Sequence, residues 1–167
     1  MTRRHRELGF QRVPLRHTAA STLGEDMGFT PLPISPTSIL CRGSGNVDYN
    51  TFLVLFEDLS CLKGTLKGVG ILCDVSGCTS TLNFQEELRV FDYVGEHVQF
   101  FAGSKWAFLT DSLLLYGLAR IGDALAAHLP VEYAVFREAE AAKSWLGWVA
   151  VPSSAIVIRQ GATDRSN

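Results

Sequence analysis

The sequence has no apolar run near the length needed to cross a membrane. A transmembrane helix takes about 20 consecutive apolar residues, and no segment of the 167 residues approaches that length. The arginine-rich start is not followed by the hydrophobic core of a secretion signal. We therefore expect no membrane span and a cytoplasmic location.

An excess of charge of one sign is also missing. The chain carries 15 Lys and Arg residues against 17 Asp and Glu residues, a formal net charge of −2. A protein without an overall positive field has little general attraction for nucleic acid or for an anionic membrane surface. We expect no nucleic-acid partner and interpret the arginines before Pro36 as part of a solvated tail.

The four cysteines include no Cys-x2-Cys pair, the spacing typical of zinc and dithiol sites. We therefore predict no metal and no cofactor. Cys41 and Cys73 lie in apolar runs, where a free thiol behaves as a small hydrophobic residue. Cys78 follows a polar turn and is predicted to be the exposed one.

Catalytic signatures are absent from the sequence too. It has no Gly-x-Ser-x-Gly elbow, Gly-rich phosphate loop, His-x-x-x-His pair or Cys-x5-Arg phosphatase loop. Ser76 and Cys78 are candidate nucleophiles, but a nucleophile needs a nearby base. His97 and His128 lie at predicted helix ends, where they serve equally well as capping residues. We assign no catalytic residue and expect the protein not to be an enzyme.

The chain does have an apolar pattern in which a short strand is followed by a helix, four times over. Each apolar run of strand length precedes a segment whose apolar residues recur every three or four positions. The predicted strands are 37–41, 69–73, 105–109 and 131–136, and the predicted helices begin at Asp48, Asn83, Asp111 or Ser112, and Glu138. Strands alternating with helices form a mainly parallel sheet sandwiched by helices. The predicted fold class is therefore α/β.

This pattern predicts one domain over residues 36–150, with a flexible tail at 1–35 and a second tail at 151–167. The first tail has no sustained apolar period and ends in closely spaced prolines at positions 31, 33 and 36. The third helix is predicted to be the longest and to end near His128. The residues predicted to face the core are Phe52, Leu55, Phe56 and Leu59 in the first helix, Leu88, Phe91 and Val94 in the second, and Leu114, Leu118, Ile121 and Leu125 in the third.

The tryptophans divide between core and surface in this interpretation. Trp106 and Trp145 are predicted to be core residues. Trp148 is predicted to be partly exposed, and if it joins Phe100 and Phe101 on the surface, the apolar patch would mark an interface with a partner or a second copy.

Four motifs in the second half carry a resemblance to a known group. They are KWAFLTDS at 105–112, YGLAR at 116–120, VEYAVFR at 131–137 and AAKSWLG at 141–147, with looser matches at 43–47 and 72–79. Over about residues 36–149 the chain resembles the STAS/Sec14-like group of small bacterial proteins, often described as anti-sigma-factor-antagonist-like. The resemblance implies an α/β sheet, a protein-interaction or ligand-sensing role, and no established catalytic chemistry. The Asp-Ser-Ser-Gly turn that carries the regulatory serine in antagonists has no counterpart at residues 82–84, so the resemblance does not carry over a phosphoswitch.

The stretch GILCDVSGCTST, residues 70–81, supplies the candidate site. Asp74 ends a predicted central strand, and ligands of open α/β sheets bind at the carboxyl ends of the strands. The predicted binding surface comprises Asp74, Ser76, Thr79, Ser112, Tyr116 and Arg120. The alternative is purely structural, because Asp74 and Ser76 can satisfy backbone N–H groups of a turn and Arg120 can form an ordinary surface pair with Asp123.

The three hydroxyl residues that follow are candidate phosphoacceptors. Thr79, Ser80 and Thr81 lie at the entrance of the second predicted helix. The N-terminus of a helix favours a phosphate through its dipole and unpaired N–H groups. A phosphate there would change which partner the surface accepts.

These observations favour a non-catalytic cytoplasmic protein-interaction module with a regulatory role. Its partner is expected to be another protein or a second copy of the chain. The alternative is a carrier for a small molecule or lipid. A carrier would need an apolar cavity of several hundred Å3, which we expect to be lined by residues such as Phe84, Leu88, Leu113 and Leu114.

Overall fold

The computed structural model describes residues 28–148 as seven strands and five helices. The strands are β1 (Gly28–Ser35), β2 (Ser38–Ser44), β3 (Asn46–Val47), β4 (Gly70–Asp74), β5 (Thr79–Ser80), β6 (Lys105–Leu109) and β7 (Glu132–Phe136). The helices are α1 (Tyr49–Leu62), α2 (Phe84–Glu96), α3 (Val98–Phe101), α4 (Leu113–Ala126) and α5 (Ala139–Trp145).

Five strands form one sheet in the order β1-β2-β4-β6-β7, and β3 pairs with β5 in a small separate sheet. β2, β4, β6 and β7 run parallel to one another, whereas β1 is antiparallel to β2. The central strands β4 and β6 are buried almost throughout, because a parallel sheet covered on both faces requires continuous apolar runs. The predicted α/β fold with mainly parallel strands is confirmed.

Strand β1 corrects the predicted start of the domain. The sequence analysis places Gly28–Ser35 in a flexible tail, but the structure pairs this segment with β2 along most of its length. Proline cannot donate a hydrogen bond to a neighbouring strand, so it is confined to edge strands. Pro31 and Pro33 are accommodated because β1 is an edge of the sheet. The remaining parts of the two predicted tails, 1–27 and 151–167, lie outside the described residues.

Polar caps begin three of the helices at the positions that the sequence indicates. The Asp48 carboxylate accepts the backbone N–H of Thr51 at 2.9 Å, and the Thr51 hydroxyl accepts the N–H of Asp48 at 2.9 Å. Asn83 and Glu86 form the same reciprocal arrangement before α2. Ser112 caps α4 with its side-chain oxygen. These bonds satisfy N–H groups that have no partner within a helix.

Helices cover the two faces of the sheet unequally. The large core lies on the face covered by α1, α2 and α4, where Phe56 contacts Phe101 and Trp106 with ring centroids 5.0 and 6.0 Å apart. The opposite face carries a smaller apolar cluster, in which Leu72 and Ala107 pack beneath α5. Side chains alternate between the faces of a strand, so the neighbours Leu72 and Cys73 belong to different clusters.

All four predicted core residues of α1 are buried, whereas Val94 alone of the predicted three is buried in α2 and none of the predicted four is buried in α4. The buried residues are Phe52, Leu55, Phe56 and Leu59 in α1, Glu87, Val90 and Val94 in α2, and Leu115, Gly122 and Ala126 in α4. Leu114 is 68% exposed, whereas Leu118, Ile121 and Leu125 are half-buried. Helix α4 also ends at Ala126, before His128, and α1 is as long as α4.

Trp148 is partly exposed as predicted, but it does not form a surface patch with Phe101. Phe101 is buried in the large core, while Trp148 packs against the smaller cluster on the opposite face of the sheet. Trp106 is a core residue as predicted. Trp145 is half-buried, with its ring 5.7 Å from that of Phe136. Cys78, predicted to be exposed, is buried.

Within residues 28–148, no helix combines the length and the apolar character that spanning a bilayer requires.

The packing of β1 gives the first testable prediction. Phe29 is buried, with its ring 5.3 Å from that of Phe52, whereas Ile34 on the same strand is 60% exposed. Phe29→Ala removes a large core side chain and should lower the free energy of unfolding by about 3 kcal/mol. Ile34→Ala should change it by less than about 0.5 kcal/mol. Urea unfolding measures both variants, and equal effects would contradict the assignment of β1 to the folded domain.

Candidate functional site

The loops after β4 and β6 meet at the carboxyl edge of the sheet. Asp74 lies opposite Leu109 in the β4–β6 register. The N–H of Val75 donates to the carbonyl oxygen of Leu109 at 2.9 Å, and the N–H of Gly77 donates to the Asp111 carboxylate at 3.1 Å. Asp74, Ser76 and Ser112 therefore lie on one edge, in the neighbourhood that the sequence predicts.

Asp74 has a structural role in this loop. Its carboxylate oxygen accepts the N–H of Ser76 at 3.1 Å, which is the geometry of an Asx turn. Asp111, which the sequence analysis considers only as a helix cap, links both neighbouring loops. Its carboxylate accepts from Gly77, and its backbone carbonyl accepts from the Arg137 guanidinium at 3.2 Å.

The three candidate residues of α4 lie progressively further from this edge. Ser112 caps the helix, and Tyr116 and Arg120 follow about one and two turns later. Tyr116 packs against the large core. Arg120 pairs with Asp123 at 2.9 Å, a surface ion pair that contributes well under about 1 kcal/mol. The structure therefore does not bring Arg120 to Asp74.

The candidate phosphoacceptors differ in their surroundings. The half-buried Ser80 hydroxyl donates to the carbonyl oxygen of Val47 at 2.7 Å and accepts the N–H of Leu82 at 3.1 Å. Thr79 and Thr81 are exposed. The first N–H groups of α2 are already bound by Asn83. A phosphate in this segment would therefore compete with an existing cap.

Cys78 has the environment of an unreactive thiol. Burial, followed by the nearby Asp74 and Asp111 carboxylates, raises its pKa. Because the thiolate is the nucleophilic form, a raised pKa weakens the thiol as a nucleophile. His97 lies at the far end of α2, where its ring stacks on Tyr93.

A cavity of about 80 Å3 lies between the sheet, α2 and α4. Its lining is almost entirely apolar, and the polar side chains in it are Glu87, Thr110 and Tyr133. The lining residues are Val47, Phe52, Phe56, Val75, Leu82, Glu87, Val90, Phe91, Val94, Trp106, Phe108, Thr110, Leu115, Leu118, Ala119, Val131 and Tyr133. We call this space the α2–α4 cavity.

The sequence analysis assigns the wrong lining to such a cavity. None of its four predicted lining residues contributes to the wall. Leu113 and Leu114 are 72% and 68% exposed, and Phe84 is 48% exposed. The cavity is also smaller than the several hundred Å3 expected of a carrier, so in this conformation it does not hold a lipid chain.

Glu87 is the charged residue that the cavity buries. Its exposed fraction is 7%, and its Oε2 atom has no hydrogen-bond partner among residues 28–148. Loss of hydration raises the pKa of the carboxyl from the ordinary 4.5 to about 7, and the backbone of Gly122 opposes this shift. Transfer of a charge out of water is costly without a partner, so the carboxyl keeps its proton to an unusually high pH.

Gly122 permits a close approach of three side chains. A Cβ atom at this position would lie 2.9 Å from Phe91 Cζ, 3.0 Å from Tyr133 Oη and 3.1 Å from Glu87 Oε1. Glu87 and Tyr133 therefore converge on the same turn of α4. Desolvation, then the Glu87 charge, raises the pKa of Tyr133 well above its usual value.

The burial of Glu87 is indicated in the sequence only by its spacing from Val90 and Val94. Glu87, Val90 and Val94 are spaced three and four apart and are the buried residues of α2. A glutamate in the first turn of a helix usually stabilises the N-terminal dipole from the surface. This general rule predicts an exposed Glu87, whereas the structure buries it.

No group of three or more metal-ligating side chains occurs among residues 28–148.

No protein-family model and no curated protein matches the chain. Among solved structures, it is similar to an uncharacterised protein of the DUF3478 family with a SpoIIAA-like fold from Shewanella loihica PV-4. The two share 16% sequence identity with a TM-score of 0.50, over 77% of this chain and 99% of that protein. The chain therefore has a SpoIIAA-like fold, which is the STAS-like fold of anti-sigma-factor antagonists. The resemblance seen in the sequence is confirmed for the fold.

The Glu87 environment predicts a specific pH dependence of stability. The pKa is raised in the folded state, so the folded protein is favoured while the carboxyl is protonated, and it loses stability as the pH rises from 4.5 to 7. The rise of the pKa from 4.5 to about 7 corresponds to about 3 kcal/mol in total, of which about 2 to 3 kcal/mol falls between pH 5 and 8. Glu87→Gln removes this loss. Urea unfolding at several pH values measures it.

The exposed Glu96 on the same helix provides the control. Glu96→Gln should retain the pH dependence of the original protein. Parallel curves for Glu87→Gln and the original protein would contradict the raised pKa.

Proposed function

We propose that the protein is a non-catalytic, regulatory module that binds another protein at the carboxyl edge of its sheet. The observation that carries this proposal is the exposure of Leu113 and Leu114, at 72% and 68%, in the first turn of α4. Neighbouring large apolar side chains in water favour contact with a partner, because their burial releases about 25 cal/mol per Å2.

The polar residues of the edge support this role as a rigid frame. The Asp74 turn and the Asp111 contacts fix the loops on either side of the leucines. Ser112 fixes the start of α4. Protein-binding surfaces typically consist of a few exposed apolar residues surrounded by polar residues that are held in place. We assign Ser76 and Thr79 to these polar surroundings and leave out Tyr116, which packs against the large core, and Arg120, which pairs with Asp123 further along α4. Phosphorylation at Thr79 or Thr81 is the form of regulation that this segment offers.

A photo-crosslinking amino acid tests the surface in cells of the source organism. At position 113 it should give a discrete crosslinked protein, and Leu114→Ser should reduce that yield several-fold because half of the apolar anchor is lost. The matched control is position 62, where Leu62 is 46% exposed at the end of α1. A product containing two copies of the chain would identify the partner as a homodimer. Equal products from both positions, or none from position 113, would contradict the proposal.

The α2–α4 cavity supports a second function, the binding of a small apolar ligand. Protein interiors are packed without voids of this kind except at a few sites, and the apolar lining favours an apolar occupant. An engineered cavity of about 150 Å3 holds benzene, so a single ring is the upper limit for a ligand of this cavity of about 80 Å3, and the lining side chains have to move apart to admit it.

Toluene is a suitable probe for this second function. It should cause saturable chemical-shift changes at cavity residues such as Val90 and Leu118. Gly122→Ala should weaken this binding several-fold, because the added methyl group would meet Phe91 at 2.9 Å. Gly117→Ala on the same helix meets no atom within 4 Å and is the matched control. Absence of saturable shifts, or equal weakening by both substitutions, would contradict a ligand-binding cavity.

A further inference from the structure

We propose that the α2–α4 cavity selects small, mostly apolar molecules that carry one hydrogen-bond donor, and that the donor binds the Glu87 carboxyl. The inference rests on the second proposed function, ligand binding in the cavity, and specifies the chemical class of the ligand.

The position of the carboxyl is the first argument. Glu87 is more than nine-tenths buried and lines the cavity, and its Oε2 atom is without a partner among residues 28–148. Buried polar atoms in folded proteins are nearly always hydrogen-bonded. Above a pKa of about 7 the carboxyl is ionised and Oε2 is a lone acceptor beside an apolar space, which is the arrangement by which binding pockets orient a ligand.

The surrounding groups give the second argument, because none of them serves as a counter-ion. The seventeen lining residues include no Lys, Arg or His. Tyr133 on β7 is the titratable residue that converges with Glu87 on Gly122. The other titratable groups that raise the pKa of Tyr133 are Cys73 on β4 and Asp123 on α4. Asp123 is already paired with Arg120. The Thr110 hydroxyl, also in the wall, accepts the N–H of Ser112. None of the donors among residues 28–148, the Thr110 and Tyr133 hydroxyls included, is hydrogen-bonded to Oε2, and we infer that a ligand supplies that donor.

This chemistry also decides which molecules the cavity rejects. A carboxylate-bearing ligand, such as a fatty acid, would place a second acid beside Glu87 with no cation in the lining to balance it. A pure hydrocarbon would leave the buried acceptor unsatisfied. Sites with a buried hydrogen-bonding group discriminate strongly against analogues that lack the matching group.

Three rings of similar size test the selection: phenol, toluene and benzoate. Their affinities are measured by NMR titration of the intact protein and of Glu87→Met, which keeps the length of the side chain but removes the acceptor. Because phenol and toluene differ in hydration, the informative quantity is the ratio of their affinities. At pH 8, Glu87→Met should lower the phenol-to-toluene ratio at least about tenfold. Benzoate should bind the intact protein more weakly than toluene at pH 8.

Glu96→Met, an exposed substitution on the same helix, should leave the ratio unchanged. An unchanged ratio in Glu87→Met, or benzoate binding as tight as toluene, would overturn the proposed selection while toluene binding still supports the cavity as a ligand site. Failure of all three probes to bind would overturn both proposals together.

A measurement on the original protein covers the case in which Glu87→Met does not fold. With 13C-labelled glutamate, the side-chain carboxyl signal of Glu87 should move when phenol is added and move little with toluene. The signal is assigned by its loss in Glu87→Gln. Equal movement with both probes would overturn the selection.

Discussion

Parallel pairing of β2, β4, β6 and β7 is the constraint on which the rest of this structure depends. It places the carboxyl ends of four strands on one edge, so that the loops after β4 and β6 can be joined through Asp111. It also requires helical crossovers, and three of the helices lie on a single face. The carboxyl-edge surface and the α2–α4 cavity are both consequences of this arrangement.

The two candidate sites differ in whether their polar groups already have hydrogen-bond partners. At the carboxyl edge, Asp74, Asp111 and Ser112 are bonded to backbone N–H groups of the loops and of α4. In the cavity, Glu87 retains an atom without a partner among the described residues. A satisfied polar group stabilises a shape, whereas an unsatisfied one represents free energy that a ligand can recover.

Sequence reasoning succeeded where a local rule determines the structure. The sequence predicts the bounds of β6 correctly, and Asp48, Asn83 and Ser112 cap helices as expected, because capping depends on the few residues around the cap.

The sequence does not predict strand β1, because a proline-containing segment becomes a strand only when a neighbour in the sheet is available. The edge position that makes this possible is a property of the assembled fold.

The helix faces show a second limit of local patterns. Helix α4 is so rich in apolar residues that several faces fit the helical period equally well. Contact with both α2 and β7 decides that Leu115 and Gly122 are buried. The burial of Glu87 could be predicted only from its spacing to Val90 and Val94, because glutamate usually prefers the surface. Tertiary packing overrode residue type at this position, which is the position of greatest functional interest.

The prolines of β1 influence how the protein can associate with others. Pro31 and Pro33 alternate along an edge strand, so two positions that would otherwise present N–H groups lack a donor. An incoming chain therefore finds an incomplete ladder along this side and gains little by extending the sheet, which is a recognised defence against aggregation. Association by β-strand addition is therefore disfavoured at β1, whereas β7, the opposite edge of the described sheet, contains no proline and keeps all its N–H donors.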